Sequence, residues 1–363
     1  MIILNYYILF SVSLVLSGIY SFFRRGLKHS ALIYIFPIIA SMFLASRSLS
    51  GGYDTRLYIE AFLSMANQSE FSLSVFFDEY QKHKHYILEP LFSFFMYLTS
   101  RFTSSGVVYL FVYSFFCTFI LIKSYKNFTE KYVFAFFMFL CSFTFVFLFA
   151  NAIRQAGAVS IFIFAVSLYI KDRNTFKYML LILLASMFHV TAIFFLIVPL
   201  LIRFKIYQLF IILFMLVCLS FSGFVYELLN IFPMPEILND KLNIYFSRSL
   251  PRINFTIISF FIFTSLGSFV NRKNKNLQLL LVLKVYVIVF LVSSFFLQSD
   301  IAFNRFSAYR FLLEPILIIL ILDNQNKNYK MKWGALTVLV FLYFLLLVST
   351  NLSIVTTLSS TSL

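Results

Sequence analysis

Residues 132–170 read YVFAFFMFLCSFTFVFLFANAIRQAGAVSIFIFAVSLYI, and Arg154 is the only side chain among them charged at neutral pH. A helix that crosses the hydrocarbon core needs about 20 mostly apolar residues. The stretch therefore has room for two such helices, 132–150 and 152–170, meeting near Asn151. A bilayer, rather than water, is the solvent that suits it.

The flanking sequence repeats the pattern. The 363 residues are 61% hydrophobic and 12% charged, with a mean hydropathy of +0.91, whereas soluble domains carry about 25% charged residues. Further spans are expected at 2–22, 31–46, 106–122, 206–224, 255–270, 277–297, 306–323 and 333–352. The expected fold is an all-α polytopic membrane protein of about 10–12 transmembrane helices. It forms a single integral membrane domain over residues 1–363. Segment 2–22 lacks a basic start and a small-residue cleavage site, so it reads as a retained helix rather than a signal peptide.

Lys and Arg gather in cytoplasmic loops and against anionic lipid, which accounts for the net charge of +15 without a nucleic-acid partner. Arg24/Arg25/Lys28, Lys123/Lys126/Lys131, Lys171/Arg173/Lys177, Arg203/Lys205, Arg272/Lys273/Lys275 and Lys327/Lys330/Lys332 mark cytoplasmic turns. Both termini then lie outside, and the outer loops are 47–88, 225–254 and 298–305. Two apolar stretches disturb this count. Only one net crossing fits between 47–88 and 123–131, yet 89–102 precedes 106–122. The short 89–102, opening on Glu89-Pro90, reads as a re-entrant or interfacial helix on the outer face. Stretch 178–202 has basic residues on both flanks. It is either a hairpin of two short arms turning near His189 or one span that breaks the charge rule.

Charges at bilayer depth cost about 2.5–3.5 kcal/mol each and mark function by default. Arg47, Asp54, Arg56, Glu89, Arg154, His189, Arg305, Arg310 and Glu314 fall at outer helix ends. Basic groups dominate on the face where the positive-inside bias disfavours them, and a local anion explains that. Asp54 and Tyr58, four apart after Gly51-Gly52, would share a helix face; the plainer reading of Asp54 is an N-cap. Asn151, Arg154 and Gln155 gather amide and guanidinium donors on one face. Arg suits bidentate phosphate recognition, against the alternative of a side chain reaching to the interface. His189 is either a satisfied core imidazole or a general base. Arg310 and Glu314 have the spacing of a mutual pair; Arg305 has no such local partner and is a candidate anion ligand.

Cys117, Cys141 and Cys218 sit in apolar runs without paired spacing, and His29, His83, His85 and His189 lack metal-ligand spacing. The chain has no phosphate-binding GxxxxGK[ST] loop and no GxSxG elbow. No metal, nucleotide or other cofactor is expected.

In chain order, Arg47, Gly52-x-Asp54-x-x-x-Tyr58, Glu89-Pro90, Ile153-Arg154-Gln155, Phe188-His189, and late Arg305 and Arg310 together resemble the EpsG branch of the Wzy-type polysaccharide polymerases. The resemblance covers about residues 1–325. In this chain Leu91 follows Pro90 where relatives often have Gly, and Tyr53-Asp54-Thr55 replaces the commoner Thr-Asp-Tyr. The resemblance implies a multi-pass glycosyltransferase of the bacterial inner membrane with its site facing the periplasm. It would polymerise O-antigen, capsule or exopolysaccharide repeat units, moving the growing glycan from undecaprenyl pyrophosphate onto a lipid-linked repeat unit. Its partners would be those undecaprenyl-pyrophosphate-linked oligosaccharides, membrane lipid, a flippase and a chain-length regulator. On that reading Arg47, Arg154, Arg305 and Arg310 hold the pyrophosphate, with Tyr58, Asn151 and Gln155 in the substrate site. His189, Asp54 or Glu89 would deprotonate the acceptor hydroxyl. A membrane O-acyltransferase, a glycan ligase and a flippase are the rival readings.

Overall fold

The computed structural model describes residues 29–47, 49, 53–68, 70–83, 89–140, 142–221 and 255–324. The expected helices 2–22 and 333–352, loop 225–254, Gly51, Gly52, Cys141, His85 and the basic clusters at 24–28 and 327–332 lie outside the described residues.

Those residues form helices and no strand. In order they are α1 (His29–Ala45), α2 (Tyr53–Ala66), α3 (Leu73–His83), α4 (Pro90–Ser100), α5 (Gly106–Phe128) and α6 (Tyr132–Leu140). Then come α7 (Phe143–Val146), continued by a π-turn (Phe147–Asn151), α8 (Ile153–Asp172) and α9 (Thr175–Ser186). A 3₁₀ helix (Val190–Ile197) runs into α10 (Val198–Leu201), followed by α11 (Ile206–Phe221) and α12 (Phe255–Asn274). The last are α13 (Leu277–Phe295), α14 (Asp300–Phe311) and α15 (Glu314–Asp323). Two compact units result: one holds the residues up to Ser167 with Leu183–Val190, the other Leu168–Ile182 and those from Thr191 on.

Helices α5, α8 and α13 are long and apolar enough to cross a membrane. The 23 residues of α5 make about 34 Å at 1.5 Å per residue. Helices α9 and α11 leave Phe176, Leu180, Phe214 and Met215 exposed, apolar surface that hydrocarbon accepts and water does not. The chain is an all-α polytopic membrane protein, as the composition required.

Within the first unit α1 packs along α5, where the Ser41 and Thr118 hydroxyls meet at 3.3 Å. The stretch 47–88, expected as a loop, contains α2 and α3. Helix α3 is amphipathic and rests on α4 through Phe76, whose ring meets Phe94 and Tyr97 at 5.5 Å each. Arg101, just past α4, closes the end of α2: its Nη1 donates to the carbonyls of Gln68 at 2.6 Å and Glu70 at 3.0 Å, and its Nη2 to that of Met65.

Two expected spans are broken, each for a local reason. In 132–150 the helix stops near Ser142, whose hydroxyl donates to Phe139 O at 2.7 Å and accepts from Phe145 N at 3.2 Å. A serine that bonds to its own backbone competes with the helix ladder. In 306–323 the break falls at Leu312–Leu313, with Pro315 in the first turn of α15; proline there has no N–H and clashes with the preceding turn. Likewise, most of the expected loop 298–305 is already the start of α14.

The two awkward stretches resolve as the charge count implied. Residues 89–102 form α4, eleven residues long and too short to span. In 178–202 the chain folds back: Tyr178 Oη donates to Phe195 O at 2.9 Å, atoms that one unbroken helix would separate by about 25 Å. The reversal occurs at Met187–His189, between α9 and the 3₁₀ helix. The hairpin reading holds.

Outside the spans, Glu79 of α3 is buried and accepts from Ser64 Oγ at 2.7 Å, Gln68 Nε2 at 3.3 Å and Lys82 Nζ. Burial alone would raise its pKa, but the hydrogen bonds from Lys82 and Ser64 outweigh burial and hold it below the ordinary carboxylate value. A group depressed in the fold stabilises it above the unfolded pKa, about 4.3 for Glu, and loses that contribution as pH falls through the folded value. Amide exchange in α3 should therefore accelerate relative to α4 as pH falls below about 4.3. Glu79→Gln should flatten that difference; an unchanged pH profile in the variant would remove Glu79 as the cause.

Candidate active site

Arg154 sits in the first turn of α8, a helix with no acidic residue in that turn. A cation at a helix N-terminus opposes the macrodipole, and this one is also mostly buried. Two side chains from other helices offset the cost. Arg154 Nη1 donates to Glu89 Oε2, and Nε donates to the Tyr58 hydroxyl at 2.8 Å. Glu89 occupies the N-cap position of α4 but caps no backbone N–H, so its carboxylate is committed to the arginine. Tyr58, 2% exposed, lies edge-on to Phe92 at 5.3 Å. Because Tyr58 accepts from Arg154, its own O–H proton points elsewhere.

The starts of three helices meet here. From the first turn of α2, Thr55 Oγ1 donates to Ala150 O at 2.9 Å, fastening α2 to the π-turn that precedes α8. π-turns recur at functional sites because they displace one turn of backbone from the regular ladder. Asp54, in the same first turn of α2, is half-buried and within electrostatic range of Tyr58, on the face that the four-residue spacing predicted. It makes no hydrogen bond or ion pair among the described residues.

Phe188-His189 joins from the hairpin turn. Leu91 N, two residues after Glu89, donates to Met187 O at 3.1 Å, which docks the turn on the start of α4. Gly157, one turn beyond Arg154, lets the turn approach α8: a methyl group there would stand 3.0 Å from the Phe188 ring and would collide with the Tyr113 hydroxyl, which donates to Ile153 O at 3.0 Å. His189 itself is 5% exposed. Gln155 is buried beside Arg154 in sequence, and Asn151 ends the π-turn, its Oδ1 without a partner among the described residues. Arg47, two residues past α1, donates through Nη1 to Leu44 O at 2.7 Å and Phe149 O at 3.5 Å. The first unit thus holds Arg47, Asp54, Tyr58, Glu89, Asn151, Arg154, Gln155 and His189.

Arg305 and Arg310 belong to the second unit. Arg305 is half-buried on α14. Arg310 is wholly buried and bonded: Nη1 to Tyr286 Oη at 2.6 Å, Nη2 to Ser259 Oγ at 3.0 Å, with Glu314 Oε1 3.6 Å away. Tyr286 also donates to Glu314 at 3.0 Å. The i,i+4 pair read from the sequence forms, and two residues that sequence reasoning passed over, Ser259 and Tyr286, complete it. Lys284 was passed over too. It lies inside an apolar span and donates to Ile202 O at 2.9 Å, placing a cation at the C-terminal end of α10. A lone Lys amid the apolar run 277–297 was the available signal.

Among the described residues no three His, Cys, Asp or Glu side chains gather closely enough to hold a metal ion. The sequence model of the EpsG family matches residues 30–358. The chain belongs to the EpsG family. No curated protein and no solved structure matches it. Membership makes this a membrane protein of polysaccharide biosynthesis. In this EpsG-family chain every motif that carried the resemblance before residue 190 lies in one unit, save Gly52, which is not described.

Removing one partner of a buried ion pair costs about 3–5 kcal/mol, while replacing both by apolar groups is often neutral. Glu89→Gln and Arg154→Met should each lower the unfolding temperature in detergent sharply. The double variant Glu89→Leu/Arg154→Met should recover much of the loss, and strictly additive effects would count against the pairing. Gly157→Ala should destabilise by about 1–3 kcal/mol through overpacking; the companion Gly157→Ala/Tyr113→Phe, lacking the hydroxyl, should be milder in the same melting experiment.

Proposed function

We propose that the protein is a repeat-unit polymerase of the bacterial inner membrane. It transfers the growing glycan from undecaprenyl pyrophosphate to the sugar hydroxyl of a second lipid-linked repeat unit on the periplasmic face. The observation that carries this reading is the buried Arg154–Glu89–Tyr58 cluster, with the Asp54 carboxylate beside it unpaired among the described residues, in a chain of the EpsG family. The reaction breaks the bond between the anomeric carbon and the pyrophosphate oxygen. It forms one bond from that carbon to the acceptor oxygen, and the acceptor's proton leaves to a base. The activated sugar–pyrophosphate bond supplies the driving force, so no nucleotide is consumed.

Three groups compete for the role of base, and the geometry ranks them. Glu89 is bonded to Arg154, so taking a proton would mean giving up the ion pair. His189 is buried in the hairpin turn. Asp54 is half-exposed and has no bond to break among the described residues, which makes it the base of choice. Tyr58 then orients the acceptor through its remaining proton, and Arg154 with Glu89 fixes Tyr58. In the second unit, Arg310 serves as an internal anchor.

A strain lacking the gene should accumulate lipid-linked single repeats, whereas accumulated long lipid-linked polymer would point to a ligase instead. Restoring the gene as Asp54→Asn, at normal protein level, should cut polymer formation by about a hundredfold or more, the usual scale of a lost general base. Normal chain lengths in Asp54→Asn would remove Asp54 from the chemistry, and normal polymer in the deletion strain would defeat the polymerase reading itself.

A further inference from the structure

Of the two candidate-site arginines in the first unit, Arg154 is ion-paired and Arg47 is not, among the described residues. Arg154 is neutralised by Glu89 and Arg310 is sealed among Tyr286, Ser259 and Glu314. Arg47 has no carboxylate within ion-pair distance among the described residues. Its Nη1 is used for closing the end of α1 at Leu44 O and for the π-turn at Phe149 O. Its Nε and Nη2 are buried and find no hydrogen-bond partner among the described residues. Those two nitrogens are not scattered: they form one edge of the planar guanidinium, the fork that meets two oxygens of a phosphate or carboxylate side by side. A capping role for Arg47 accounts for the Nη1 bonds and leaves this edge unexplained. A guanidinium buried without a counter-charge is costly, and an oxyanion on the fork would remove that cost.

A second observation points to the same place. Tyr109 of α5 is fully buried, its ring stacked on Phe62 at 4.7 Å, and its hydroxyl has no partner among the described residues. It lies within electrostatic range of both Arg47 and Tyr58. The π-turn that Arg47 contacts through Phe149 O leads directly into α8, whose first turn contains no acid.

We infer that the Nε–Nη2 edge of Arg47, with the Tyr109 hydroxyl, is the phosphate-oxyanion receptor of the first unit. Arg154 takes no part in holding the anion and acts as the positioning partner of Glu89 and Tyr58. This assignment rests on the polymerase reading for its natural ligand, the diphosphate of a polyprenyl-linked glycan, but its chemistry is that of any phosphate group, including a bilayer headgroup.

The test uses the full-length protein in phosphatidylcholine nanodiscs, with inorganic pyrophosphate and farnesyl diphosphate as probes in a titration. Loss of one charge-assisted fork should weaken binding by about tenfold or more in Arg47→Gln. Arg47→Lys, which keeps the charge but not the edge, should fall between that variant and the parent. Tyr109→Phe should weaken binding by about threefold. Parental affinity in both Arg47 variants overturns the assignment. If Arg47→Gln does not fold, parental affinity in both Arg47→Lys and Tyr109→Phe overturns it equally. Replacing part of the phosphatidylcholine by phosphatidylglycerol separates the sources. Competition lost in Arg47→Gln identifies a lipid headgroup on the fork, no competition identifies the diphosphate probe, and either result upholds an oxyanion receptor. Arg47-dependent binding in a protein whose deletion leaves polymer unchanged would keep the receptor and defeat the polymerase reading. Arg47-independent binding in a protein whose deletion abolishes polymer would do the reverse.

Discussion

A guanidinium in the first turn of an apolar helix is unstable on two counts: it opposes the helix dipole, and it is removed from water. The architecture of the first unit follows from relieving Arg154 of both. The counter-charge has to come from elsewhere in the chain, and it comes from Glu89, 65 residues earlier, with Tyr58 a further 31 back. For Glu89 to reach, α4 has to begin beside the first turn of α8. Pro90 allows this, since proline belongs in a first turn and stops the helix from extending backward. For Tyr58 to reach, α2 has to lie against the π-turn, which Thr55 secures. The irregular elements are therefore requirements of one ion pair rather than separate oddities.

The two buried arginines show how the same physics gives different outcomes. Arg310 is enclosed by partners from α12, α13 and α15, and by the rings of Tyr286, Phe290 and Phe311 within 5.5 Å of its guanidinium carbon. Most of its hydrogen-bonding capacity is turned inward, and breaking the helix just after it lets Glu314 contribute to the enclosure. That is the profile of an anchor. Around Arg154 the network is partly open: neither the Tyr58 proton nor the Asp54 carboxylate has a hydrogen-bond partner among the described residues. Polar capacity unspent at bilayer depth has to be met by water or substrate, since hydrocarbon offers nothing.

Much of this was legible in the sequence because the governing signals are local. Helices α5, α8 and α13 announce themselves by length and apolar content. The positive-inside rule set 89–102 apart from the ordinary spans and left 178–202 between a hairpin and a single span, and the hydrogen bond from Tyr178 to Phe195 O decides for the hairpin. The Asp54–Tyr58 spacing and the Arg310–Glu314 pair were readable as i,i+4 relations. The breaks were not. One depends on Ser142 choosing its own backbone, and serine makes that choice only in some contexts. The amphipathic α3 hid inside an apparent loop, since eleven residues with mixed charge resemble a solvated linker until Phe76 is seen against α4. Long-range pairing was the main gap. Nothing in the neighbourhood of Glu89 names Arg154 as its partner, and nothing near Lys284 points to Ile202 O.

The arrangement also constrains how a lipid-linked substrate would be handled. A polyprenyl diphosphate keeps its chain in hydrocarbon and its charges at the interface, so the groups that meet it belong at helix ends, not mid-span. Helix starts supply fixed dipoles at that depth, and fixed dipoles need no reorganisation when charge develops on a leaving group. Side chains alone at such a depth would each cost insertion energy; pairing Arg154 with Glu89 offsets one such charge, and Arg47 has no such partner among the described residues. On the proposed reading, the first unit could then take a diphosphate while keeping one of its two candidate-site arginines neutralised at rest, and that balance, more than any single residue, suits such a site.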